Sequence, residues 1–112
     1  MSLAVINSVP TTDAEFNTWA FAHMANHRDI NRLIFTTKNT RINEFHLAPF
    51  APDDMETWLL QHQTMHQQMN AALGVASYDL STVNWSNQSQ LFDWIHLNAN
   101  EHFIVNRLLN LG

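Results

Sequence analysis

Cysteine is absent from this 112-residue chain. Disulfides, thiolate metal ligands and cysteine nucleophiles are therefore excluded, and the redox compartment is left open. Basic residues are scarce as well: five Lys and Arg against ten Asp and Glu give a formal charge of −5. Nucleic-acid binding rests on clustered positive side chains, so no nucleic-acid partner is expected. Charged residues of both signs make up only 13% of the chain. Much of the polar surface must then be Asn, Gln, Ser and Thr, which suits a packed neighbour. No apolar run is long enough to span a bilayer. The apolar segment Leu3 to Ile6 is too short for a signal peptide and has no basic residues before it. The expectation is a soluble intracellular product with no membrane partner. Ser-His-Asp arrangements, phosphate loops and dinucleotide fingerprints are missing too, so no catalytic residue is assigned and an enzymatic role is not favoured.

What the chain does contain is 46% hydrophobic residues, enough for one domain with a single core, and a segment written three times. The copies read Trp19, His23, His27, Asn31; then Trp58, His62, His66, Asn70; then Trp94, Asn98, His102, Asn106. Their offsets are 58 − 19 = 39 and 94 − 58 = 36. Residues four apart share a helix face, and each copy is preceded by a helix-start signal. Thr12 stands three residues before Glu15, Asp53 before Glu56, and Asn87 before Gln90. Gly74 and Gly112 are stop signals for the second and third copies. The chain is therefore expected to be all-α, a three-helix bundle with helices at about 13–34, 53–73 and 87–110. Residues 1–10 form an extended N-terminal arm in this reading, and residues 11–112 form one helical domain.

A seam with heptad spacing runs through each helix. It comprises Phe16, Ala20, His23, His27, Ile30 and Ile34; Met55, Leu59, His62, His66, Met69 and Leu73; and Leu91, Ile95, Asn98, His102, Val105 and Leu109. Facing seams would place apolar layers at both ends and a polar waist between them. Trp19, Trp58 and Trp94 flank the seam as packing residues. Asn31, Asn70 and Asn106 lie on the opposite flank, where they join Asn98 in a structural polar network. The connections at 35–52 and 74–86 are long enough for parallel or antiparallel helices. Both carry apolar residues, among them Ile42, Phe45, Leu47 and Phe50 in the first and Val75, Tyr78, Leu80, Val83 and Trp85 in the second. Leu97, Phe103 and Ile104 mark an outward apolar face on the third helix, to be covered by a connection or by another subunit.

The chemistry centres on His27, His66 and His102, with His23 and His62 one layer away. Three imidazoles on facing helices suit a divalent metal such as zinc, with an open position for activated water in a metal-dependent hydrolase. Equally, a buried His and Asn layer can fix helix register without chemistry, and a ligand pocket is a third reading. Carboxylate-rich dimetal bundles place Asp or Glu on the inward face. Here none falls on the seam, and Glu101 stands about 100° round the helix from His102. His46, in a connection, and His96, on an outward face, are given no role. Arg28, Asp29 and Arg32 read as a solvated face.

The segments WAFAHMANHRDIN, WLLQHQTMHQQMNAALGV, YDLSTVNW and WIHLNANEHFIVNRLLNLG together resemble small proteins of unknown function encoded among the structural genes of tailed bacteriophages. The resemblance covers most of the chain. It implies a non-enzymatic virion or assembly component (a decoration, connector or adaptor subunit), partnered by other phage structural proteins or copies of itself. Such a component would stand in the host cytoplasm during assembly and then in the virion. No catalytic residue is nominated by it.

Overall fold

A computed structural model of the chain describes residues 3–43 and 55–111, whose regular elements are all α-helices. Four helices stand among the described residues, one more than the pattern predicts: α1 (Leu3–Ile6), α2 (Asp13–Lys38), α3 (Met55–Leu73) and α4 (Gln88–Leu108). Each long helix carries one copy of the repeated segment, and none is long and apolar enough to cross a membrane.

The start signals at α2 and α4 act as sequence chemistry dictates. Thr12 Oγ1 accepts from Glu15 N at 3.1 Å, and Asn87 Oδ1 accepts from Gln90 N at 3.1 Å. In both cases the returning side chain bonds just upstream of the cap: Glu15 Oε1 accepts from Thr11 N, and Gln90 Oε1 from Asn84 N. Asp53 lies outside the described residues. α2 runs four residues past its expected end because nothing interrupts it before Asn39, whose left-handed backbone (φ 50°) returns its N–H to Phe35 O. α3 stops at Gly74, where φ is +71°. α4 ends earlier than expected, at Leu108, with Asn110 left-handed at φ 57°; Gly112 is outside the described residues.

The direction of the helices, open from sequence, follows from what packs at each end. One apolar cluster joins Trp19, Ala20, Trp58, Leu59, Leu91, Trp94 and Ile95, all from the first half of their helices. A second joins Ile30, Ile34, Met65, Met69 and Val105, all from the second half. Like meets like, so α2, α3 and α4 run parallel. Every seam residue named above is buried or half-buried.

Parallel neighbours require long returns, and the described parts of those returns are built into the core. Leu80 is fully buried in the tryptophan-end cluster, with Val83 and Trp85 against it. Leu80 O accepts the indole N–H of Trp94 at 3.0 Å, and Gln63 clamps the same stretch by donating to Tyr78 O and accepting from Leu80 N. In the other return Ile42 is buried and Asn43 N donates to Gln68 Oε1; Phe45, Leu47, Phe50 and His46 are outside the described residues.

The expectation of an extended arm at 1–10 is corrected. Residues 3–6 form a helical turn folded back on α2 and α4, with Ile6 fully buried beside Ala22 and Ala99. Ile6 O accepts the Trp19 indole N–H at 3.0 Å. A buried indole needs such an acceptor, and Val5 and Ile6, read as extended, here pack with Leu3 against one apolar cluster instead. The turn also covers Phe103, leaving Leu97 and Ile104 partly exposed on that face. Replacing Ile6 by Ala should therefore cost about 2–4 kcal/mol in urea denaturation. An unchanged midpoint would mean that the turn is not part of the core.

Candidate metal centre

The parallel arrangement brings the middle layers of the seam together. His23, His27, His62, His66 and His102 each offer one ring nitrogen to a group whose atoms all lie within 4.8 Å of one another. All five are at most 2% exposed. The structure thus gathers the two outer candidates, His23 and His62, as fully as the central three, and Asn98 occupies the sixth place, wholly buried.

The contacts are between Nε2 atoms: His62 to His23 at 3.1 Å, His23 to His27 at 3.0 Å, and His27 to His66 at 3.2 Å. An imidazole nitrogen has one in-plane position, filled by a proton or by a lone pair. Along a row of four nitrogens at most two protons can alternate, so the three contacts cannot each have a hydrogen of their own. The tautomers are constrained further from outside. His66 Nδ1 donates to Glu101 Oε1 at 2.9 Å, and His102 Nδ1 donates to Asn26 Oδ1 at 2.6 Å. In neutral rings both bonds leave an Nε2 lone pair facing inward, and the His102 lone pair meets no donor among the described residues. An arrangement that hydrogen bonds serve poorly is one that a cation serves well. Two nitrogens about 2.1 Å from a zinc-like ion stand about 3.0 Å apart at a right angle and about 3.4 Å apart at the tetrahedral angle. The three observed spacings fall in that interval.

The surroundings favour neutral rings, the form that binds metal. Burial is the main cause that pushes His23 down to about 3, with His66 adding to it and the Asn98 amide opposing. Burial likewise holds His27, His62 and His102 well below the usual imidazole range, each reinforced by neighbouring histidines. Above the waist, Trp19 stacks on His23 at 4.6 Å between ring centres and Trp58 on His62 at 4.7 Å. All three repeat tryptophans are buried, as their flanking role requires.

Below the waist the asparagines divide. Asn106 pairs reciprocally with Asn26, and Asn70 donates to Glu101 Oε1 at 2.6 Å and to Ser77 Oγ at 3.0 Å. Asn31 is buried but neither of its amide atoms has a hydrogen-bond partner among the described residues, so it stands outside this network there. Two members of the site were not anticipated. Asn26 is 1% exposed, and Glu101, placed away from the waist by its angle to His102, is also 1% exposed and inside it. Both stand seven residues after a repeat tryptophan, as does buried Met65. Since Trp and the residue one heptad later occupy the same stripe, that register was the available signal. His96 is half-buried on the outer face, its Nδ1 donating to Phe92 O. Arg32 meets Asp29 at 3.4 Å on the surface.

No protein family, curated protein or solved structure matches the chain.

The depressed histidines make the metal-free chain acid-labile, and the sign can be worked out. Their folded values lie below 6.5, the ordinary value that the unfolded chain regains, so between the two the unfolded state binds more protons. Stability is complete above about pH 6.5 and falls as pH drops toward the folded values. Each such histidine costs about 1.4 kcal/mol per pH unit. Several acting together should unfold the metal-free chain by about pH 5, as followed by circular dichroism. A melting midpoint that is flat from pH 7 to 5 would contradict neutral burial of these rings.

Proposed function

We propose that this chain is a metal-binding helical domain whose three sequence-related helices form a three-helix bundle around one late first-row divalent ion, zinc being the reference case. The observation that carries the reading is the convergence of five buried imidazole nitrogens within 4.8 Å. Imidazole is a borderline donor that suits zinc, nickel, cobalt or copper, whereas magnesium and calcium require oxygen ligands. The rings are closed off by tryptophan on one side and by amide side chains on the other. Closure supports a structural ion, since catalytic zinc keeps a position open to water. The hydrolase reading lacks that opening and is not favoured.

The experiment is elemental analysis of tag-free protein after loading with zinc and dialysis. About one ion per chain is expected, together with a rise in melting temperature; free ion at a hundredfold its Kd adds about 2.7 kcal/mol. His66→Ala and His102→Ala should lose the ion, while His96→Ala on the outer face should keep it. Wild-type protein that holds no ion after loading would overturn the proposal.

The virion-subunit reading implied by the sequence resemblance is compatible with a structural ion, and one observation favours it. Phe21 is 68% exposed, Leu60 59% and Phe92 54%, a cost that an adjoining subunit would relieve. Phe21 and Leu60 hold the same place in their copies, two residues after the tryptophan. Light scattering should find an assembly of several 12.9 kDa chains, reduced to monomers by Leu60→Glu. A wild-type monomer would count against self-association.

A further inference from the structure

We infer that Glu101 is a positioning residue for the metal centre: through His66 it fixes which nitrogen faces the ion, and it supplies a buried negative charge near it. The inference rests on the metal-binding reading proposed above.

The geometry separates Glu101 from the ligands. Its Oε1 lies 2.9 Å from His66 Nδ1, the ring nitrogen remote from the waist, while His66 Nε2 faces His27. The carboxyl group is otherwise held by N–H donors, Asn70 Nδ2 at 2.6 Å to Oε1 and the Tyr78 backbone N–H at 2.7 Å to Oε2. Three donors on two oxygens match an acceptor that carries no proton. The carboxylate is thereby oriented on the Nδ1 side of the ring, and the neutral ring then presents its lone pair inward. This is a carboxylate–imidazole pair of the kind that raises ligand basicity and fixes ring orientation in metal sites.

Charge gives the second argument. Five neutral imidazoles would bring a dication into a region from which water is excluded, with no anionic ligand among them. Among the described residues Glu101 is the only buried Asp or Glu. A negative charge one imidazole away lowers the cost of placing the ion there. His102 receives only a neutral counterpart, the Asn26 amide oxygen at 2.6 Å. The two rings with tied Nδ1 atoms thus differ in their support, and loss of the charged one should matter more.

Glu101 also pins the connection after α3 through Tyr78, so a loss of stability on substitution would not by itself establish a role toward the ion. Gln63→Ala provides the comparison. It releases the same connection at Tyr78 and Leu80 and leaves the His66 partner in place. Affinity would be measured by competition of the protein with a chromophoric chelator for cobalt or zinc, alongside melting of the metal-free forms.

Glu101→Gln is expected to weaken metal binding about 10- to 100-fold, while Gln63→Ala lowers the metal-free melting temperature with affinity changed less than about threefold. In metal-loaded wild-type protein labelled with 15N, the Nδ1–H of His66 should persist as a slowly exchanging resonance beside that of His102, the two told apart by assignment, a readout that needs no variant to fold. Glu101→Gln with wild-type affinity, Gln63→Ala with an equal loss, or no protected Nδ1–H on His66 in the loaded protein would each overturn the role of Glu101. Wild-type protein that binds neither metal would instead overturn the metal-binding reading itself.

Discussion

The parallel run of α2, α3 and α4 is the constraint on which the rest of the molecule depends. Parallel helices with the same internal spacing meet position by position, so each residue type gathers in its own layer. Tryptophans meet at one end, histidines in the middle, and Ile, Met and Val at the other end. Aligned helix dipoles repel slightly, and the arrangement needs connections that travel the length of the bundle. The chain meets both demands with one device: the connection from α3 to α4 is fastened by Gln63, Glu101 and the Trp94 indole and inserts Leu80 among the tryptophans. The α1 turn does the same for Trp19 through Ile6.

The same convergence sets the chemistry of the waist. Hydrogen-bonded pairs satisfy buried polar groups two at a time, whereas a row of Nε2 atoms 3.0–3.2 Å apart asks each central nitrogen to serve two neighbours. The outer atoms of two rings are better provided for, whereas Nδ1 of His27 and of His62 meets no partner among the described residues. Glu101 and Asn26 take the Nδ1 protons of His66 and His102, and Asn70 and Asn106 complete those two bonded groups. The protein thus directs hydrogen bonding to the outer side of two rings and lone pairs to the inner side. An ion at the centre would bind groups that the fold has already oriented, so its affinity would add directly to folding stability.

Much of this was legible in the sequence because two periodicities coincide. Spacing by four marked the helices, and the heptad seam placed His23, His27, His62, His66 and His102 inward, where the structure has them. The capping pairs at Thr12 and Asn87 located two helix starts. Helix direction was not legible, because it depends on which ends meet and the connections allowed both answers. The α1 turn was missed for a related reason: four residues carry too little periodicity to declare a helix, and what seats them is the acceptor need of an indole thirteen residues later. Glu101 was misjudged by its angle to His102 alone. Its place one heptad after Trp94 puts it on a stripe already read as covered, and its partners come from α3 and from a connection, which no local pattern reveals.

The central claim is that equivalent helix positions converge to aim imidazole lone pairs at a single point. Anomalous diffraction from crystals of the zinc-loaded protein tests it most directly. One peak enclosed by the Nε2 atoms of the waist histidines, at about 2.0–2.1 Å from those that ligate, is the result expected. Zinc found only at surface positions such as His96, with the waist rings hydrogen-bonded around water, would contradict it.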